Sequence, residues 1–234
     1  KSEAESTRTT VIVAPGEYNF GAAVFVVNAS GIDIVSLTGN SDVIISSTEN
    51  HPDAYNYGIK VTADNILIKG INCKTNTFYI GYNLDNLICE YCIGGHNSFS
   101  SGTITSGTFN NCIGGNNSFS SGTVSGTFNN CIGGNSSFGG EGGNVASGTF
   151  NHCVGGNYSF GGAGGTITGI LTNCKLTTGT FPTPTGEGKI YNCIDGYGNL
   201  INMPLPIFAD NTAAASLPTG ALYRTITGVQ MIKY

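Results

Sequence analysis

The residues of this chain that could do chemistry are first its eight cysteines. Six of them, Cys92, Cys112, Cys131, Cys153, Cys174 and Cys193, recur at spacings of 20, 19, 22, 21 and 19 residues. Thiols can pair as disulfides, attack as thiolates or hold soft metals. Cys89 and Cys92 also form a CxxC, a spacing that redox and zinc sites use. No second CxxC and no ligand-spaced His pair accompanies it. Cysteine is also small, apolar and among the most buried residue types, so a regular column of thiols reads as packing. Neither a metal nor a cofactor is expected.

Carboxylates are the second candidate. Between Gly94 and Asn173 the only one is Glu141, set in a Gly-rich stretch. Asp64 and Asp85 occupy equivalent positions just before consecutive apolar stretches, and each is followed by Asn. Two acids stacked in this way could hold a cation or act on a glycosidic bond. Asp at a strand entry more often bonds its own backbone. They are weak catalytic candidates, and a non-enzymatic protein is the expectation.

What must position these residues is a repeat. GTFNNCIGG occurs at Gly107–Gly115 and again at Gly126–Gly134, and GTFNHCVGG at Gly148–Gly156. Three residues before each column cysteine stand Cys89, Phe109, Phe128, Phe150, Leu171 and Ile190. Seven residues after stand Phe99, Phe119, Phe138, Phe160, Phe181 and Leu200. A further column runs through Ile104, Val124, Val145 and Ile167. In the N-terminal part the same template places Ile71 and Leu37 at the cysteine position and leaves Cys73 out of register.

Period-two apolar stretches separated by Gly, Asn and Ser read as short strands and bends. The expected fold is all-β: a right-handed parallel β-helix solenoid, three strands per rung, rungs of about 20 residues, with a small C-terminal cap. Residues 1–9 are expected to form an arm and 10–200 the solenoid, with a loop insertion at about 40–58. Residues 201–234 form the cap, with a hairpin near Thr227–Gly228. The gap from the Phe column to the β-branched column grows from five to seven in the rungs of Phe138 and Phe160, which puts variable length at one corner.

Stacking assigns the remaining columns. Asn111, Asn130, His152, Asn173 and Asn192 precede the cysteines and read as a bend ladder, each Asn bonding its own backbone and the next rung. Ile93, Ile113, Ile132 and Val154 follow them and should face outward, as a subunit interface or a covered face. Asn116, Asn135 and Asn157 begin N-x-S triplets, the acceptor pattern of a glycosylated adhesin. Thr103–Thr105, Thr123–Ser125 and Thr166–Thr168 form a Thr-rich corner that an ice- or surface-binding solenoid would use.

Composition narrows the classes. With 36 Gly and only 10% charged residues the chain has a low-complexity flavour, yet 39% is hydrophobic, which favours a packed fold over disorder. The net charge of -5, without a basic cluster, leaves no electrostatic footprint for nucleic acid. No apolar run approaches the ~20 residues of a membrane span. The start at Lys1 reads as a trimmed or processed product, with no signal peptide in what remains.

The apolar-x-apolar-x-x-apolar pattern of Asn65–Cys73, following VIVAPGEY at Val11–Tyr18, resembles pectin-lyase-like right-handed β-helix proteins from about Thr10 to Leu200. The closing segment LPTGALYRTITGVQMIKY, Leu217–Tyr234, is similar to the C-termini of tail-fibre and other virion proteins of tailed bacteriophages. That resemblance implies a homotrimeric fibre or host-attachment protein at the virion surface or outside the cell. Its partners would be host-surface glycans or other virion proteins. Some of those β-helices depolymerise host polysaccharide, the enzymatic alternative. The chain departs from the enzymes' pattern of clustered acids with Lys or Arg on one outer face.

Overall fold

A computed structural model describes residues 8–48, 56–81, 84–99, 106–119, 123–140, 144–145, 148–162, 164–201, 222–224 and 230–232. Residues up to Ile201 form one unit and Asn202–Tyr234 a second. The first is a parallel β-solenoid of about 8 turns, about 21 residues each, with three strands per rung. Its best-formed face is a nine-stranded parallel sheet running from Thr9–Val13 to Lys189–Tyr191. Equivalent residues pair directly: Phe109 with Phe128, Phe128 with Phe150, Phe150 with Leu171. The second unit contains an antiparallel pair, Leu222–Arg224 with Gln230–Ile232.

The interior consists of the predicted columns. Cys92, Cys112, Cys131, Cys153, Cys174 and Cys193 are all buried, as are Val124, Val145 and Ile167. Phe99, Phe119, Phe138 and Phe160 stack with centroids 4.7–4.9 Å apart and planes within 9°. Phe109, Phe128 and Phe150 form a second stack at 4.9 and 4.8 Å with planes within 2°. The two stacks meet edge to face at 5.8–6.1 Å, a favourable ring arrangement. Strands in a sheet normally rotate by roughly 20–25° from one to the next. Near-parallel rings accord with rungs that superpose closely on one another.

Sharp corners need left-handed backbone, and the sequence supplies residues that tolerate it. Asn111, Asn130, His152, Asn173 and Asn192 have φ between 51 and 55°, where Asn is enriched several-fold. Phe99, Phe119, Phe138 and Phe160 also sit at φ 55–61°, an outlier for a bulky residue. Complete burial within the ring stack holds them there. At the Gly-Gly corner a Cβ on Gly133 would lie 2.5 Å from the Cβ of Ser137, and one on Gly134 2.8 Å from the backbone N of Asn116. Only glycine fits this close approach.

Three placements differ from the sequence reading. Leu37 is 65% exposed, and Val43 is the residue that pairs with Ile71. The intervening turn is held by Asp42, which accepts hydrogen bonds from the hydroxyls of Ser36 and Thr38. An apolar template cannot register such an insertion. The segment expected to loop out at 40–58 carries the strand Val43–Ser46 and the start of Tyr57–Val61; residues 49–55 lie outside the described residues. Leu200, expected in the Phe column, is exposed and belongs to Leu200–Ile201, which pairs antiparallel with Cys193–Ile194. The chain reverses through a turn in which Asp195 accepts bonds from the backbone N–H of Tyr197 and Asn199. Phe181 is half-buried and tilted 41° from Phe160, so the ring stack ends there.

His152 breaks the Asn column but keeps its hydrogen bond: the Asn173 side-chain amide lies 3.1 Å from its Nε2. Asparagine suits this φ better and restores an amide acceptor. His152→Asn is therefore expected to raise the urea midpoint slightly, by about 0.5–1 kcal/mol in stability; a lower midpoint contradicts the ladder.

Candidate functional site

Stacking accounts for nearly every residue that looked chemical. Five of the eight buried thiols, Cys92, Cys112, Cys131, Cys153 and Cys174, sit near the carbonyl oxygen of an inward residue one rung earlier: Cys112 donates to Cys89 O at 3.3 Å, Cys131 to Phe109 O at 3.2 Å, Cys174 to Phe150 O at 3.3 Å. Burial raises the Cys89, Cys112, Cys153 and Cys174 thiols above the ordinary cysteine range, and a buried, protonated thiol is a poor nucleophile. Cys89 and Cys92 of the CxxC both face the interior. Among the described residues no three His, Cys, Asp or Glu gather as a metal-ligand set.

Asp64 and Asp85 are exposed strand-entry residues that bridge rungs. The Asp64 Oδ1 accepts the backbone N–H of Asp85 at 2.9 Å, and Asp85 Oδ1 accepts the Ser106 hydroxyl at 3.2 Å. Each following Asn, Asn65 and Asn86, is in the left-handed region. This is a turn ladder in geometry.

Two polar ladders were not read from the sequence. Asn110, Asn129 and Asn151 point outward from the first face, and the Nδ2 of Asn129 and of Asn151 donates to the Asn Oδ1 one rung earlier at 2.9 Å. Glu90 begins the row by accepting from Asn110 at 3.3 Å. The doubled Asn of FNNC was the available signal: the first faces out, the second turns the corner. The other ladder is buried: Ser98, Ser118, Ser137 and Ser159 are fully enclosed. Ser118 and Ser159 donate to the carbonyls of Gly95 and Gly134. Ser118, Ser137 and Ser159 are the third residues of the N-x-S triplets. Asn116 and Asn135 use their side-chain oxygens to accept the backbone N–H of Asn135 and Asn157, both at 2.9 Å. Thr103–Thr105 lie outside the described residues; Thr123, Ser125, Thr166 and Thr168 are half-buried.

What stacking does not consume is an outward apolar row on the second face. Ile93, Ile113, Ile132 and Val154 bridge one another in parallel, and the row continues through Lys175 to Ile194. Ile113 is 42% and Ile132 45% exposed; Ile93 and Val154 are half-buried. Ile88 and Ile170 are exposed outward on the first face.

Together the in-register columns, the parallel sheets and the left-handed corners define a parallel β-solenoid. No protein-family model, curated protein or solved structure matches this chain.

Proposed function

We propose that this chain is a non-enzymatic rod of a virus particle, a fibre or host-attachment protein that assembles laterally as a homotrimer. The outward row Ile93–Ile113–Ile132–Val154, exposed at Ile113 and Ile132, carries the reading. A β-branched residue repeated outward on consecutive rungs gives a straight apolar edge, and three copies of that edge can converge on a three-fold axis and cover one another. The similarity of Leu217–Tyr234 to the closing segments of tailed-phage fibres points the same way. Host-surface glycan or another virion protein is the partner such an assembly would meet. The catalytic alternative is weakened by Asp64 and Asp85 each spending an oxygen on a bond between rungs.

Sedimentation of the purified chain tests the assembly. The wild type is expected in a trimer-based species, a multiple of three times 24.1 kDa. Ile113→Lys with Ile132→Lys, both outward, should remove the factor of three and leave the β circular dichroism unchanged. A wild-type monomer overturns the reading.

A further inference from the structure

The chain holds four Asn-x-Ser triplets, the acceptor pattern for an N-linked sugar. Three belong to the repeat, at Asn116, Asn135 and Asn157; the fourth, Asn28-Ala29-Ser30, stands outside it. A transferase that reads this pattern must reach two side chains, the amide that takes the sugar and the hydroxyl two residues on. The coil withdraws the repeat triplets from such contact. Ser118, Ser137 and Ser159 have no exposed surface. Asn116 and Asn135 spend their side-chain oxygens on the backbone N–H of the next rung. Those oxygens are also wedged against Gly134 and Gly156, where an added Cβ would collide with them.

Asn28-Ala29-Ser30 is built the other way. It lies in the turn between Phe25–Val27 and Ile32–Ser36, and all three residues are exposed. Among the described residues neither the Asn28 amide nor the Ser30 hydroxyl is engaged in a side-chain hydrogen bond. The exposure does not come from the rung's being the first. Thr62 N–H bonds Val27 O at 2.9 Å, and Ile32 to Ser36 run beside Ile66 to Lys69, so Thr62 and Asp64 stack on Asn28 and Ser30. Thr62 and Asp64 have a rung on each side and are exposed all the same. Gly31 and Asn65 both turn the corner in the left-handed region, at φ 76 and 58°. The corner is therefore a lateral turn that faces outward in successive rungs.

We propose that Asn28 is an N-glycosylation site, and that folding closes the three repeat triplets to the same modification. The sugar donor is an activated sugar, either a sugar nucleotide or a lipid-linked sugar diphosphate. The Asn28 side-chain nitrogen attacks the anomeric carbon, and the N–C bond forms as the bond from that carbon to the phosphate oxygen breaks. The nucleotide or lipid diphosphate leaves, and one amide proton passes to a base of the transferase. A surface turn is where this bulky, solubilising group is accommodated. The corner joins Phe25–Val27 to the first face, away from the second, so a sugar there leaves the row Ile93–Ile113–Ile132–Val154 uncovered. The site is independent of the virion reading and of the trimer.

The folded full chain, incubated with a soluble asparagine N-glycosyltransferase and UDP-glucose, tests both halves of the proposal. Peptide mapping by mass spectrometry should find one hexose at Asn28 and none at Asn116, Asn135 or Asn157. Synthetic peptides carrying the repeat triplets, which have no coil to hide them, should be modified in the same reaction. Asn28→Gln and Ser30→Ala should each abolish the modification of the folded chain, and Ser30→Thr should keep it. All three are surface changes, and an unchanged circular dichroism spectrum checks that the coil persists. A folded chain left unmodified at Asn28 overturns the site. Hexose on Asn116, Asn135 or Asn157 of the folded chain, or repeat peptides that resist modification, overturns the claim that folding closes those triplets.

Discussion

Phe128→Ala is expected to lower the stability of the solenoid by about 3–5 kcal/mol, the range for removing a fully buried aromatic side chain. Phe128 has no exposed surface. Its ring is stacked on Phe109 at 4.9 Å and on Phe150 at 4.8 Å, and it meets Phe119 and Phe138 edge-on at 5.9 and 5.8 Å. Four ring contacts vanish together. The backbone around the cavity is tied to both neighbouring rungs by the parallel ladder, so it cannot collapse to fill the space. Phe181→Ala serves as the contrast. That ring ends its stack, half-buried and tilted, and its loss should cost clearly less. Urea unfolding followed by circular dichroism measures both. Because each rung contacts only its neighbours, hydrogen exchange in Phe128→Ala should rise first in the rungs of Phe109, Phe128 and Phe150. A drop below about 1 kcal/mol, well under the usual buried-aromatic range, would contradict the ring-stack account.

Gly133→Ala should cost about 1–3 kcal/mol, the usual penalty for forcing an extra carbon into a packed interior. The new Cβ would lie 2.5 Å from the Cβ and 2.6 Å from the Oγ of Ser137, with the Phe138 ring at 3.0 Å. Ser137 has no room to swing away: it is fully buried, and its Oγ points at the carbonyl of Gly115 at 3.4 Å. The clash is chiefly with one side chain, which makes it separable. Adding Ser137→Gly to Gly133→Ala should recover part of the loss, whereas Ser137→Gly alone should destabilise. Strict additivity in this double-mutant cycle would show that the glycine is required for some other reason. The same contact recurs at Gly114 with Ser118 and at Gly155 with Ser159. GG and the Ser four residues after its first glycine thus form one structural device in each rung.

The coil was legible because stacking copies each requirement onto the next rung. Cysteine, phenylalanine and corner asparagine each declared a column three or more times, so spacing alone placed them. Where repetition fails, so did the reading. Leu37 matched an apolar template, but the Ser36–Thr38–Asp42 hydrogen-bonded turn pushed the true column residue on to Val43. Leu200 kept the right distance from Cys193, yet a reversal of chain direction after Asp195 took it out of the core. Spacing carries no direction, so an antiparallel closing strand is invisible to it. The buried Ser ladder was hidden for another reason. Serine reads as a surface residue, and its burial depends on carbonyls of the previous rung that only the fold brings near. Of the candidate site, the outward isoleucine row was readable from strand alternation.

The variable corner after Phe138 and Phe160 gives the molecule a property beyond packing. Length added there, at Gly139–Gly140 or Gly161–Gly162, leaves the columns on either side in register. Each complete repeat, by contrast, advances the axis by one strand spacing of about 4.8 Å. Circumference and reach are therefore set by separate stretches of sequence. Duplicating a repeat extends the rod by a fixed increment, and editing a corner decorates it without altering its span. The chain behaves as a ruler whose graduations are rungs, and a lineage could tune the distance it bridges without redesigning its interior.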